Sequence, residues 1–171
     1  MDLCSAIRRN IYCSYMLERI VADTFTMYVE EPSPSAEIST ITKTIFSIIA
    51  AESRNHAKFL ELVAEQNNLF EETDCSQTVG IPWAAVQKLR EELSSGRVIG
   101  LKEFIERQMW LEKAVGEETY HKIVLPLIRE GIKAGCITRE YANILETLFS
   151  KMILDEEYHE EMLKILAELS G

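Results

Sequence analysis

Apolar residues recur at steps of three and four along most of the chain, which is the spacing of one face of an α-helix. The first stripe covers about residues 4–30 and ends before Pro32 and Pro34, because proline lacks the amide hydrogen that a helix needs. The same spacing predicts further long helices over about residues 36–67, 101–130 and 138–169. The pattern therefore predicts an all-α protein.

Residues 68–100 separate the second and third long helices and follow a different pattern. Asparagine, glycine, proline and serine mark turns along this segment, and residues 83–93 predict a short helix with Pro82 in its first turn. A segment of this length can cross a helical bundle from end to end. We therefore expect a single domain, residues 1–171, in which residues 68–100 form a long crossover from the second helix to the third.

Residues that can bind a metal interrupt the apolar stripe of each long helix. Burying a carboxylate is costly unless it meets a countercharge, a hydrogen-bond network or a metal ion. The spacing Glu-x-x-His places two ligands on one helix face, and each of the 3 histidines has an acid three or four residues before it. The candidate metal ligands are Glu18 in the first helix, Glu52 and His56 in the second, Glu118 and His121 in the third, and Glu156 and His159 in the fourth. At about 1.5 Å per residue they lie about 20 to 27 Å from the predicted turns, at nearly one level of the bundle.

Some of these positions have alternatives. The other acids that could face inward are Asp155 in place of Glu156 and Glu117 in place of Glu118. In the second helix Ser53 stands three residues before His56 and Glu52 stands four before it, and the apolar stripe is centred toward Glu52. Without a metal, the same residues would be hydrogen-bonded core pairs or a solvated acidic run. Tyrosines close to these motifs, including Tyr120, are expected to be structural.

Composition and charge limit the partners and the compartment. The formal net charge of −10 disfavours nucleic acid and anionic membranes as partners, because both repel an acidic surface. No run of about 18 apolar residues and no signal-peptide pattern is present, so we expect a cytoplasmic protein that does not span a membrane. The 4 cysteines lack Cys-x-x-Cys spacing, which argues against a rubredoxin-type iron centre or a zinc ribbon, and we expect most of them to be reduced core residues.

The helices and their polar residues resemble the ferritin-like superfamily, and in particular its rubrerythrin-like di-iron carboxylate branch, without the rubredoxin domain. The resemblance covers nearly all of the chain outside residues 68–100. It implies a four-helix bundle, two iron ions bridged by glutamates, with manganese or zinc as alternatives, and reaction with hydrogen peroxide or dioxygen supported by an external electron donor. Two positions depart from the pattern: His121 stands where rubrerythrins carry a second acid, and Ser53 stands where they carry a glutamate.

Two functions therefore stay open. The first is a rubrerythrin-like peroxidase or oxidoreductase that acts at a carboxylate-bridged metal pair. The second is a redox-inactive ferritin-like bundle with a structural, iron-handling or partner-binding role, which Ser53 favours. Iron storage in a cage ranks below both, because nothing in the chain identifies assembly contacts. A homodimer is expected from the general frequency of symmetric dimers.

Overall fold

The computed structural model describes residues 2–30 and 38–169. The chain is all-helical in these ranges and contains no strand there. The helices are α1 (Leu3–Glu30), α2 (Thr40–Asn67), α3 (Cys75–Val79), α4 (Ile81–Ser94), α5 (Leu101–Lys113), a π-helical segment (Ala114–Val124), α6 (Leu125–Lys133) and α7 (Arg139–Leu169). None of these helices has both the length and the apolar character needed to cross a membrane. The turn expected around Pro32 lies outside the described residues.

Hydroxyl side chains stand at the start of two of the long helices. Ser39 precedes α2, and its Oγ accepts a hydrogen bond from the backbone N–H of Thr42 at 3.1 Å. The predicted second helix therefore begins at Thr40, a few residues later than expected. Thr138 precedes α7, and its Oγ1 accepts a hydrogen bond from the backbone N–H of Tyr141 at 3.5 Å, as the side chain of an N-cap residue does.

The long helices pack around one hydrophobic core. α1 runs along α2, α7 packs against α5 and the π-helical segment, and α2 also contacts α7. α4 packs against α1, so part of the expected crossover covers the outer side of this helix. Fully buried side chains of the core include Phe25, Phe46, Leu60, Leu89, Phe104 and Phe149. Each such side chain contributes about 1.5–3 kcal/mol to stability through removal from water.

The third long helix changes type in its middle. α5 continues into the π-helical segment, which continues into α6. Pro126 lies in the first turn of α6, just after the end of the π-helical segment. A π-helix bonds each residue to the fifth along and not the fourth, which shifts the angular positions of its side chains. Tyr120, five residues after the buried Val115, is buried as a result; Thr119 is buried too, whereas Glu118 and His121 face solvent.

Two disulfides attach α1 to distant parts of the chain. Cys4 is bonded to Cys136 beside the start of α7, and Cys13 is bonded to Cys75 at the start of α3. The expectation that the cysteines are reduced is therefore wrong. The bonds span 132 and 62 residues of sequence. Loops of this length restrict the unfolded chain strongly, and closing one stabilises a fold by about 4 kcal/mol in the chain-entropy model.

Candidate metal centre

Three carboxylates and two imidazoles meet in the interior, between the long helices. Glu18 comes from α1, His56 from α2, Glu112 from α5, and Glu156 and His159 from α7. Between 0% and 6% of the surface of each residue is exposed. Glu156 and His159 are three residues apart on α7, which is the spacing that directs both side chains to one face. The centre is therefore a polar cluster within an otherwise apolar core.

The cluster divides into two groups that share one residue. Glu18, His56 and Glu156 form the first group, and Glu112, Glu156 and His159 form the second. Within each group, one ligand-type atom of every residue lies within 4.8 Å of the others. Imidazole nitrogen and carboxylate oxygen are the ligands that iron, manganese and zinc accept in proteins. Glu156 is the residue that the two groups have in common.

The outer nitrogen of each histidine is bonded to an acid from the other half of the molecule. Nε2 of His56 on α2 lies 2.9 Å from Oδ2 of Asp155 on α7. Nε2 of His159 on α7 lies 2.8 Å from Oε2 of Glu52 on α2. An ionised carboxylate can only accept, so each Nε2 carries the hydrogen. This fixes both rings and directs each Nδ1 toward the cluster, where it can serve as a ligand.

The inner nitrogens face carboxylates at distances that differ between the two groups. Nδ1 of His56 lies 3.5 Å from Oε2 of Glu18, and Nδ1 of His159 lies 3.2 Å from Oε2 of Glu112. Oε2 of Glu156 lies 3.7 Å from Nδ1 of His159. The carboxylates therefore gather around the inner nitrogens of both rings.

Three buried polar atoms of the cluster and its wall lack a hydrogen-bond partner. They are Nδ1 of His56, Oε1 of Glu112 and Oγ of Ser53. The contact of His56 with Glu18 is close enough for an ion pair but does not have hydrogen-bond geometry. Buried polar atoms without partners are rare in folded proteins. A cation bound between the groups would give both His56 and Glu112 the partner that they lack, so the residues present fit a metal.

Tyr120 is placed against the cluster by the π-helical segment. Its phenol is fully buried and donates a hydrogen bond to Oε1 of Glu18 at 2.5 Å. Burial, together with the nearby carboxylates of Glu18 and Glu156, raises the pKa of Tyr120 well above its ordinary value. The phenol therefore stays protonated and holds Oε1, which leaves Oε2 of Glu18 facing His56. The sequence-based expectation that this tyrosine is structural left out its contact with the cluster.

Without a bound cation the cluster retains protons. Burial lowers the pKa of His159, but hydrogen bonds to Glu112 and Glu156 outweigh burial and raise it to about 12. The pKa of His56 is also raised, because Glu18 and Asp155 outweigh the effect of burial. Burial and the charge of Glu112 raise the pKa of Glu156 well above its ordinary value. His159 therefore carries a proton at neutral pH, and the pKa values of His56 and Glu156 are shifted toward retention of theirs.

The structure brings together five of the seven residues predicted as ligands. Glu18, His56, Glu156 and His159 lie in the cluster, and Glu52 lies at its edge on Nε2 of His159. Glu118 and His121 do not lie in it. Both are exposed, and Glu118 forms an ion pair with Lys122. The buried face of α5, which includes Gln108 and Glu112, points away from His121 at about 100° per residue, so the sequence analysis placed this part of the third helix in the wrong phase.

Two acids of the site have roles that the sequence analysis did not assign. Glu112 was missed, although it follows Gln108 by four residues and Ile105 by seven, on the buried face of α5. That spacing is a signal that could have identified it. Asp155 was considered only as a substitute for Glu156, and the structure uses both acids, with Asp155 also bonded to Lys151. Asp155 and Glu52 hold rings and do not belong to either ligand group.

Comparison with protein-family models, with curated proteins and with solved structures finds no match to this chain. The geometry of the buried cluster is therefore the observation from which a function can be argued.

Proposed function

We propose that this protein is a ferritin-like four-helix bundle, with residues 68–100 as its crossover, that binds two metal ions in the buried cluster. The observation that carries the proposal is the membership of Glu156 in both ligand groups, together with the unpartnered buried atoms of His56 and Glu112. Glu18, His56 and Glu156 would hold one ion, and Glu112, His159 and Glu156 would hold the other. Iron is the favoured metal, and manganese or zinc would suit the same ligands.

Residue 53 is a serine and not an acid, so the ligand groups of the proposed centre contain three carboxylates, those of Glu18, Glu112 and Glu156. The rubrerythrin-like pattern has a glutamate at this position, and its charge is missing here. The hydroxyl of Ser53, three residues before His56, is fully buried and has no hydrogen-bond partner.

The proposed chemistry follows from the donor set. A pair of ferrous ions would supply two electrons for the reduction of hydrogen peroxide or dioxygen, and an external donor would then have to restore them. The chain's own residues bind the ions through Glu156 and its partners, orient the rings through Glu52 and Asp155, and exclude bulk water by burial. Metal binding displaces the protons of the imidazole and carboxyl groups that become ligands. Tyr120 is then the group of the cluster that still carries a proton.

Anaerobic titration of metal-free protein with Fe²⁺ tests the metal-binding proposal. We expect saturation at two ions per chain, confirmed by elemental analysis after desalting. Saturation below one ion per chain would contradict the proposal. Addition of one equivalent of hydrogen peroxide per loaded chain tests the redox step, which should consume the peroxide and produce the near-ultraviolet absorption of a ferric pair.

The second candidate function is a metal-binding or structural bundle without redox turnover, and Ser53 is the observation that favours it. The same experiment separates the two functions. The second function would be supported if the protein binds two ions but leaves the peroxide intact. A control solution that is known to consume peroxide must do so under the same conditions.

Metal binding should release protons and become tighter as the pH rises. His56, His159 and Glu156 have raised pKa values in the metal-free fold, and each must lose its proton to bind an ion through its inner atom. We expect the affinity for Co²⁺ to increase across pH 5.5–7.5, and calorimetry in two buffers of different ionisation enthalpy should show proton release. An affinity that is constant over this range, with equal heats in both buffers, would contradict the protonated cluster.

A further inference from the structure

A small pocket of about 110 Å³ lies between the π-helical segment and α7 and is lined by two of the candidate ligands. Its buried wall contains Glu112 and Glu156, and its outer wall contains the exposed residues Glu117, His121 and Glu157. We call it the access pocket. The larger pockets along α4 and α5 and along α7 are lined by none of the residues in the two ligand groups. The access pocket therefore links solvent to the centre.

Gly116 keeps this side of the cluster free of side-chain bulk. It lines the pocket, and a Cβ at this position would lie 2.9 Å from Cβ of Glu156 and 3.3 Å from its Cγ. Real side chains do not approach this closely, so only glycine lets the π-helical segment pass directly over Glu156. Glu156, the residue common to the two ligand groups, is thus covered by the backbone of Gly116 and also lines the access pocket.

The chemistry of the pocket favours a cation. Four acidic side chains line it against one ammonium group, that of Lys113, and two of the four, Glu117 and Glu157, are exposed. Glu112 is buried, and its Oε1 has no hydrogen-bond partner. An excess of negative charge in a narrow cleft attracts a divalent ion and raises its local concentration, whereas neutral peroxide or dioxygen gains nothing from it. Glu117 is partly neutralised by Lys122 at 3.4 Å, so Glu157 contributes the larger part of the exposed charge.

We propose that divalent cations reach the buried centre through the access pocket, drawn by the exposed carboxylates of Glu117 and Glu157. The inference rests on the proposed function, because it assumes that the centre binds metal. It assigns Glu117 and Glu157 a role in the rate of metal loading. This role is separate from binding of the ions by the ligand groups and from orientation of the rings by Glu52 and Asp155.

The test is the rate at which metal-free protein takes up Co²⁺ at low ionic strength, followed by stopped-flow absorption. The variant Glu117→Gln/Glu157→Gln should load about tenfold more slowly than the wild type, because each lost charge weakens the attraction of a nearby divalent ion. The matched control is Glu140→Gln/Glu168→Gln, which makes the same change in net charge near the two ends of α7. At about 0.5 M salt the difference should nearly disappear, because the screening length falls to about 4 Å.

The outcomes separate the two proposals. If the wild type loads two Co²⁺ ions and the Glu117→Gln/Glu157→Gln variant loads as fast as its control, the access pocket is not the route and the metal centre stands. If the wild type takes up no Co²⁺ at equilibrium, the proposed function itself fails. Circular dichroism of both variants shows whether they are folded, and the single variant Glu157→Gln should give an intermediate rate.

Discussion

Replacement of Glu156 by glutamine is expected to abolish binding of both metal ions together. Glu156 is the residue common to the two ligand groups, so the neutral amide weakens each of them at once. Replacement of an orienting residue near a metal typically costs 10- to 100-fold in affinity, and loss of a bridging carboxylate should exceed about 100-fold at both sites. The measurement is Fe²⁺ or Co²⁺ stoichiometry by anaerobic titration, with Glu18→Gln as a comparison that should weaken the first group alone.

The matched control for this substitution is Glu161→Gln, which makes the same chemical change on the exposed face of α7. It should bind two ions with wild-type affinity. The metal-free Glu156→Gln protein should also fold at least as stably as the wild type, because it removes an ionisable group from beside Glu112. A Glu156→Gln protein that keeps one ion at wild-type affinity would show that the two groups are independent.

Metal loading is expected to raise the melting temperature by about 8–16 °C. The ligands of each group come from three different helices or from two widely separated ones, so the unfolded chain cannot present them together. A ligand at a thousandfold excess over its Kd adds about 4 kcal/mol of stability, and about 1 kcal/mol moves the melting temperature of a chain of this size by roughly 2–4 °C. Thermal unfolding of anaerobic protein, with and without metal, measures the shift.

The control for this shift is the Glu156→Gln variant, whose melting temperature should not respond to metal. An equal rise in the variant would mean that ions stabilise the protein by screening its formal charge of −10, without occupying the centre. A wild-type protein whose melting temperature does not change at saturating metal would count against both ligand groups.

The sequence was most informative where the helices are regular. Glu18, His56 and Glu156 lie within apolar stripes of α1, α2 and α7, and a 3.6-residue period is enough to place each of them inward. Glu52 was also identified, but as a ligand. Its position beside His159 depends on how α2 packs against α7, and periodicity along one helix does not contain that information.

The third helix shows where the periodic argument fails and why. Glu118 and His121 were assigned a phase that differs from the buried face of α5, and from Ala114 the hydrogen bonding also changes from the fourth residue to the fifth, which shifts the later side chains. Glu112 precedes this change and keeps its α-helical phase. The sequence carries a hint in Pro126, but a proline does not specify where the wider turns begin.

The disulfides illustrate a second limit. Cys4 and Cys136 are 132 residues apart, and their contact follows only from the way α1 meets the start of α7. Spacing rules detect cysteines that are close in sequence, such as Cys-x-x-Cys, and are silent on such distant pairs. The expected reduced state was inferred from that silence.

The crossed contacts of the two histidines give the centre an approximate twofold symmetry. His56 corresponds to His159, Glu52 to Asp155, and Glu18 to Glu112, and each ring is held by the acid that precedes the other ring by four residues. In each half of the chain, the acid four residues before the histidine is bonded to the histidine of the other half. Neither half therefore contains both a histidine and the acid that orients it. Two such halves must meet before either histidine is oriented. Ser53 stands three residues before His56, as Glu156 stands three before His159, and is the position at which this symmetry is broken.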